Sequence, residues 1–332
     1  MSPARRRRGR AARLVWRCVL LVVVLVGGLL LAEGVLRVRG GSADGRFLFP
    51  PNLTGSFDPA PGVMPGIEGV SRFWSNAQGL RADPLGDEGF RVLCVGGSTT
   101  ACVYLDQGEA WPAVLQERLS ATGVRTWVGN AGKDGMTSRD HLLQLDAVLP
   151  VVPDLDAVVL LAGVNDLLLR LSKDTAYDPD FMDRDDAEEI LAPRVFSVRP
   201  PPDRAWWQSL RVVALWQAMT AEAPEEQRLL DPQGDWYEGR RRQRRNAPVT
   251  LDALPDLTAG LAEFERNLVR AVGLATERGL RVLLLSQPSI WRADLPPELD
   301  RLLWLGGRGD FMTTRVEAYY SVEALAAGAV FA

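Results

Sequence analysis

Four short apolar runs dictate what this chain can become. FRVLCV (90–95), Arg125–Val128, AVVLLA (157–162) and LRVLLLSQ (280–287) are too short for buried helices. They read as strands covered on both faces. Helix-period patterns lie between them, over about Ala110–Thr122 (Val114, Leu115 and Leu119 on one face), Ser138–Leu149 and Leu257–Arg278. Strands alternating with helices predict an α/β fold with a doubly wound parallel sheet and right-handed crossovers. In a flavodoxin-like strand order, 2-1-3-4-5, the first three strands are neighbours.

Those three strands end in loops that carry chemistry. The first closes on Gly96-Gly97-Ser98-Thr99-Thr100, the second on Asn130-Ala131-Gly132, and the third on Gly163-Val164-Asn165-Asp166. Ligands of parallel sheets bind outside the carboxyl ends of the strands, so Ser98, Gly132 and Asn165 converge on one crevice. Two glycines turn the backbone tightly and set Ser98 at the start of a helix, where the dipole favours a developing oxyanion. The N–H groups of Ser98 and Gly132 and the Asn165 amide could all donate to that oxyanion. Each residue also has a plainer reading: strand-to-helix turn, tight turn, helix cap. The spacing of a phosphate loop is absent, because Asp134 follows Gly132-Lys133 where a Ser or Thr is required, which leaves nucleotide binding as a rival reading only. No Gly-x-Gly-x-x-Gly follows a strand.

A serine alcohol needs a positioned base, usually histidine. The single histidine, His141, sits at the start of the helix after the Gly132 loop, with no aspartate three residues before it. It reads as a helix-start residue outside the catalytic set.

The three loops resemble the blocks of the SGNH (GDSL-like) hydrolase family: Gly97-Ser98 the nucleophile block, Gly132 the second, and Gly163-Val164-Asn165-Asp166 the third. The likeness covers about 90–170 and continues more weakly to about Ala327. Within that stretch Ser286-Gln287-Pro288 is similar to a segment of membrane-anchored members. The resemblance implies ester hydrolysis through a Ser98 acyl-enzyme, with Ser98, Gly132 and Asn165 as site residues and no cofactor or metal. It also implies an acyl ester or acylated carbohydrate as substrate. The family's last block, Asp-x-x-His after a fifth strand, is absent, and the chain stops at Val330-Phe331-Ala332 about where it should come. The expectation is therefore a C-terminally incomplete domain, inactive as given. Its alternatives are a non-catalytic binding protein and an O-acyltransferase acting on cell-envelope polysaccharide. An incomplete sheet should leave apolar surface open near Val282 and Leu284 and make the protein associate.

Outside this domain the chain is read as a basic segment (1–17), an apolar stretch (18–36) and an extended lead-in (37–89), with the domain itself over 90–332. Cys18–Leu36 would span about 28 Å as a helix, near the roughly 30 Å hydrocarbon core. Seven arginines precede it, from Arg5 to Arg17, which places the N-terminus in the cytoplasm and the body outside. A cleaved signal peptide, cut near Ala32 and Gly34, is the alternative. Without residues 1–36 the formal charge of −4 becomes about −10. That excludes a nucleic-acid surface as the body's main feature. The lead-in carries a sequon, Asn52-Leu53-Thr54.

An insertion over 171–255 interrupts the rhythm and is expected to form a lid. It holds an acidic stretch (Asp178 to Glu189) without the glycine and terminal glutamate of a calcium loop, and the proline run Pro200-Pro201-Pro202. Trp206, Trp207, Trp216 and Trp236 follow, then the basic run Arg240–Arg245. That run is either a phosphate contact or a solvated or salt-bridged helix face. Cys18, Cys94 and Cys102 read as inert thiols, with a Cys94–Cys102 bridge as the alternative.

Overall fold

The computed structural model describes residues 3–38, 45–86, 89–199, 234–292, 294–310 and 315–328, together with 207, 210, 212–213, 216 and 227–228. The chain opens with α1 (Pro3–Val38), followed by an antiparallel pair, β1 (Thr54–Phe57) and β2 (Ser71–Trp74). The α/β body then runs β3 (Phe90–Gly96), α2 (Ser98–Ala101), α3 (Trp111–Ser120), β4 (Thr126–Asn130), α4 (Ser138–Val148), β5 (Ala157–Leu161) and α5 (Val164–Lys173). The insertion contributes α6 (Ala187–Val195), β6 (Gln227–Arg228), α7 (Asp235–Arg245) and β7 (Thr250–Leu251). After it come α8 (Thr258–Thr276), β8 (Arg281–Leu285), α9 (Pro297–Asp300), β9 (Gly307–Asp310), β10 (Arg315–Tyr320) and α10 (Val322–Ala327).

The central sheet is parallel, in the order β4-β3-β5-β8. That is the expected 2-1-3-4 arrangement, and its in-register pairs Gly96↔Leu161 and Leu161↔Leu285 align the carboxyl ends of three strands. Side chains alternate between two apolar layers. Leu93, Val95, Val158 and Leu160 face Leu142 and Leu145 of α4 and Ala271 and Ala275 of α8. Val92, Cys94, Val128 and Val159 face Trp111, Leu115 and Leu119 of α3. Both faces are covered, which is why these strands lack polar alternation.

Several features depart from the sequence reading. The lead-in is ordered around its own core of Leu53, Phe57 and Phe73. A second small sheet, β7-β10-β9, was not anticipated; it packs with α10 on Leu167 and Leu171 of α5. Among the described residues β8 is an edge of the main sheet, with Leu283 56% and Leu284 48% exposed while Val282 is half-buried. Val330, Phe331 and Ala332 lie outside the described residues.

The basic run bears out the salt-bridged helix face in part, since Arg241 pairs with Glu238 at 3.1 Å and Arg242 and Arg245 are exposed, and several of its guanidinium groups also clamp backbone carbonyls. Arg241 donates to Val63 O and Leu302 O, Arg244 to Leu305 O and Tyr320 O, and Arg245 to Arg301 O. α7 thereby ties the lead-in to the C-terminal segment. The lid reading rests mostly on residues outside those described, including Pro200, Pro201, Pro202 and Trp206. Cys94 and Cys102 are free thiols.

Among the described residues no helix is long and apolar enough to cross a membrane. The spanning helix expected for 18–36 is not supported.

Candidate active site

The site begins where β3 runs out. Gly97 is the N-cap of α2, and its carbonyl accepts from Thr100 N–H and Ala101 N–H at 3.0 Å each. Ser98 and Thr99 face solvent while Thr100 and Ala101 are buried. Ser98 N–H lies in the first turn, where no intrahelical acceptor exists. α2 is a single turn, so the expected dipole reduces to these local N–H groups.

The packing forces the three loops together. A Cβ on Gly97 would lie 2.6 Å from Asn165 Nδ2, and one on Gly132 would lie 2.6 Å from the carbonyl carbon of Thr100. Only glycine permits either approach. Asn165 donates one amide hydrogen to Met136 O at 2.8 Å, which leaves its second for a ligand. The Ser98 turn, the Gly132 loop and Asn165 are therefore packed together.

One part of the expectation is corrected. Gly132 N–H is committed to Asn130 Oδ1 at 2.8 Å, while Asn130 Nδ2 donates to Thr100 O at 2.7 Å. The buried Asn130 carboxamide competes for its own backbone two residues on, as asparagine commonly does. The available donors are Ser98 N–H and the Asn165 amide, and Gly132 serves by close packing.

Three supporting side chains were not identified from sequence. Arg81 is 2% exposed and donates to Ala101 O and Cys102 O at 2.6 Å each, Leu105 O at 2.8 Å and Gln107 Oε1 at 3.0 Å. Burial lowers its guanidinium to about 10, against the pull of Cys102 and Asp106. It donates to the last carbonyl of α2 and to two carbonyls of the turn that follows. Gln287, just after β8, donates to Thr99 Oγ1 at 3.1 Å and accepts from Val164 N–H at 3.4 Å, linking the serine turn to α5. Asp166 accepts Ser138 N–H at 3.0 Å and Ser138 Oγ–H at 2.5 Å, and Ser138 Oγ accepts from Asn267 Nδ2 at 3.0 Å. Burial pushes the Asp166 carboxyl up to about 7 although the Ser138 donors pull the other way. The Asp166 signal was in the third motif, whereas Arg81 sat in a stretch without periodicity.

His141 is 1% exposed. Its Nδ1 pairs with Gln144 Oε1 at 2.7 Å, and Gln144 Nε2 donates to Ala131 O at 3.1 Å. Nε2 has no hydrogen-bond partner, so neither ring nitrogen is bonded to Ser98. Burial lowers its pKa, and it acts as part of the α4 packing.

Two cavities flank the sheet away from Ser98. A polar cleft of about 440 Å³ is lined by Trp74, Arg81, Asp83, Gln107, Gln116 and Asn130. An apolar groove of about 710 Å³ runs between α8 and β8, lined by Leu261, Phe264, Leu268, Val269, Val272 and Leu284. Among the described residues no group of three or more His, Cys, Asp or Glu could hold a metal.

A model of the GDSL-like Lipase/Acylhydrolase family matches residues 94–302. No curated protein matches. Among solved structures, the SGNH-hydrolase family esterase AlinE4 is 20% identical, over 65% of this chain and 93% of its own, with a TM-score of 0.27. TesA is 24% identical over 55% and 99%, with a TM-score of 0.23. A catalytic mutant of Axe2, an acetylxylan esterase from Geobacillus stearothermophilus, is 16% identical over 60% and 76%, with a TM-score of 0.25.

Proposed function

We propose, from the premise that this chain belongs to the GDSL-like lipase/acylhydrolase family, that Ser98 is the nucleophile of an ester-cleaving or acyl-transferring site. The observation that carries this is the packing of Gly97 and Gly132 against Asn165 and α2, which gathers two free donors beside an exposed serine. In the reaction Ser98 Oγ attacks the ester carbonyl and loses its proton to a base, and the alcohol leaves protonated. Water or a sugar hydroxyl then takes the acyl group from Ser98. Ser98 N–H and the Asn165 amide hold the carbonyl oxygen as it gains charge.

Among the described residues no histidine is bonded to Ser98 for the first step. His141 is buried and paired with Gln144, so the chain as given is read as nearly inactive, with donors and binding alone leaving roughly 10³–10⁴-fold over water. The test is turnover of short acyl esters by the wild type and Ser98→Ala. Weak turnover that changes little in Ser98→Ala is expected, and robust turnover that vanishes in Ser98→Ala would show that a base is in place. Robust turnover unaffected by Ser98→Ala removes Ser98 from the role, and robust turnover abolished by His141→Ala reverses the assignment of His141. The sequestered histidine also favours a second reading, a binding protein that keeps the crevice. Saturable binding of an acylated sugar without turnover supports it, and transfer to a sugar hydroxyl in preference to water supports the acyltransferase.

The N-terminal helix is read as a membrane anchor, with the basic segment cytoplasmic and the body extracytoplasmic. Support comes from the exposed apolar side chains of α1, Leu25 64% and Leu30 67% among them, and from the seven arginines before them. Carbonate-resistant membrane association, and a reporter after Ala332 active only outside the cytoplasm, are the expected results. A soluble form starting near Val35 would establish a cleaved signal peptide instead.

A further inference from the structure

Glu33 is the one acid in the apolar stretch of α1, and it is only 8% exposed. Its neighbours along the helix are open, with Leu30 67%, Leu31 71% and Val35 44% exposed. The insertion covers it: Val212 N–H donates to Glu33 Oε2 at 3.0 Å. Around that contact the chain turns on itself, Leu210 N–H bonding Trp207 O and Val213 N–H bonding Leu210 O. Leu210, Val212 and Val213 are half-buried, whereas Trp207 is 47% and Trp216 65% exposed.

We propose that Trp207 and Trp216, held on α1 through the Val212–Glu33 contact, dock into the interfacial layer of a lipid bilayer. The inference rests on the anchor reading given above. At about 1.5 Å per residue Glu33 lies roughly 24 Å along the helix from Arg17, in the outer part of an apolar layer about 30 Å thick. A bare carboxylate at that depth is expensive, and such groups are found facing protein and hydrogen-bonded. Val212 supplies a donor. The residues that reach Glu33 must then enter the membrane surface, and indoles suit that zone because one end is apolar and the N–H prefers water.

The test uses the full chain in phosphatidylcholine vesicles, with and without bromine placed high on the acyl chains. The emission difference between wild type and the Trp207→Phe, Trp216→Phe variant isolates these two indoles from the others. Shallow bromine should quench that difference at least twofold. Glu33→Leu should lose at least half of the quenching while insertion persists, and Glu33→Gln, which keeps an oxygen acceptor, should retain it. Carbonate-resistant insertion with an unquenched difference overturns the inference and leaves the anchor standing. Recovery of the protein in the carbonate supernatant overturns both.

Discussion

Replacing Asp166 by asparagine should make the protein more stable at pH 8 and leave it unchanged at pH 4.5. The carboxyl is 6% exposed, and burial moves it from 3.8 to about 7. Asp140 and Glu263 add like charge. Between those two pH values the folded state holds a proton that the unfolded chain has released. The slope 2.303RT(ν_U − ν_N) is then negative, so this group's contribution to stability falls as pH rises from about 4 to 7 and is flat beyond. Ionisation within the fold costs on the order of 4 kcal/mol, at about 1.36 kcal/mol per tenfold. Asparagine imitates the protonated acid: its oxygen can accept from Ser138 N–H and Oγ–H, and it never ionises.

The measurement is denaturant unfolding of both proteins in mild detergent, followed by tryptophan fluorescence from pH 4.5 to 8.5. Taking the difference between the two curves cancels His141, whose lowered pKa contributes in the opposite direction: its stability is lost as pH falls below the unfolded value of about 6.5. The difference should be near zero at pH 4.5 and grow to a few kcal/mol in favour of asparagine by pH 8. A flat difference, or a variant less stable by more than about 1 kcal/mol at pH 8, would refute the reasoning. It would mean that the Ser138 donors outweigh burial and Asp166 is ionised at an ordinary pKa.

Arg81→Leu should lower stability by about 2 kcal/mol or more in the same unfolding assay, because three carbonyls, the buried one of Ala101 among them, lose a charged donor; a loss under about 1 kcal/mol contradicts the clamp. Gly97→Ala, whose new methyl would sit 2.6 Å from Asn165 Nδ2, should cost about 1–3 kcal/mol and reduce any Ser98-dependent ester turnover below the wild-type level, and an unchanged rate counts against Asn165 as a donor. The wild type should self-associate through the open edge of β8, and Leu284→Lys should shift sedimentation towards monomer. A wild type that is monomeric at every concentration tested would show that this edge is protected.

The sheet was legible because parallel strands buried on both faces are written as unbroken apolar runs, and FRVLCV and AVVLLA have few other readings. Strand order was taken from the flavodoxin-like arrangement of such sheets, and with it came the meeting of Ser98, Gly132 and Asn165. What stayed hidden depends on single side chains reaching across the fold. Nothing local to Arg81 reveals that its guanidinium will find the carbonyls of Ala101, Cys102 and Leu105. The commitment of Gly132 N–H to Asn130 was nearer the surface, since an asparagine two residues before a glycine often makes that bond. The β7-β10-β9 sheet was missed because its strands are two to six residues long and carry glycines at 307 and 309.

The donors of this crevice are held by groups that have nothing to do with a base. Asn165 is positioned by Met136 O and by the absence of a side chain at Gly97. The serine turn is held by Arg81 and Asn130 from one side and Gln287 from the other. His141 is spent on Gln144 within α4, and its removal would disturb packing before it disturbed chemistry. Geometry for stabilising an oxyanion is therefore built into the sheet and its caps independently of whatever takes the serine proton. On the proposed role of Ser98, a base brought within reach of its Oγ should raise turnover without any rearrangement of α2, the Gly132 loop or α5.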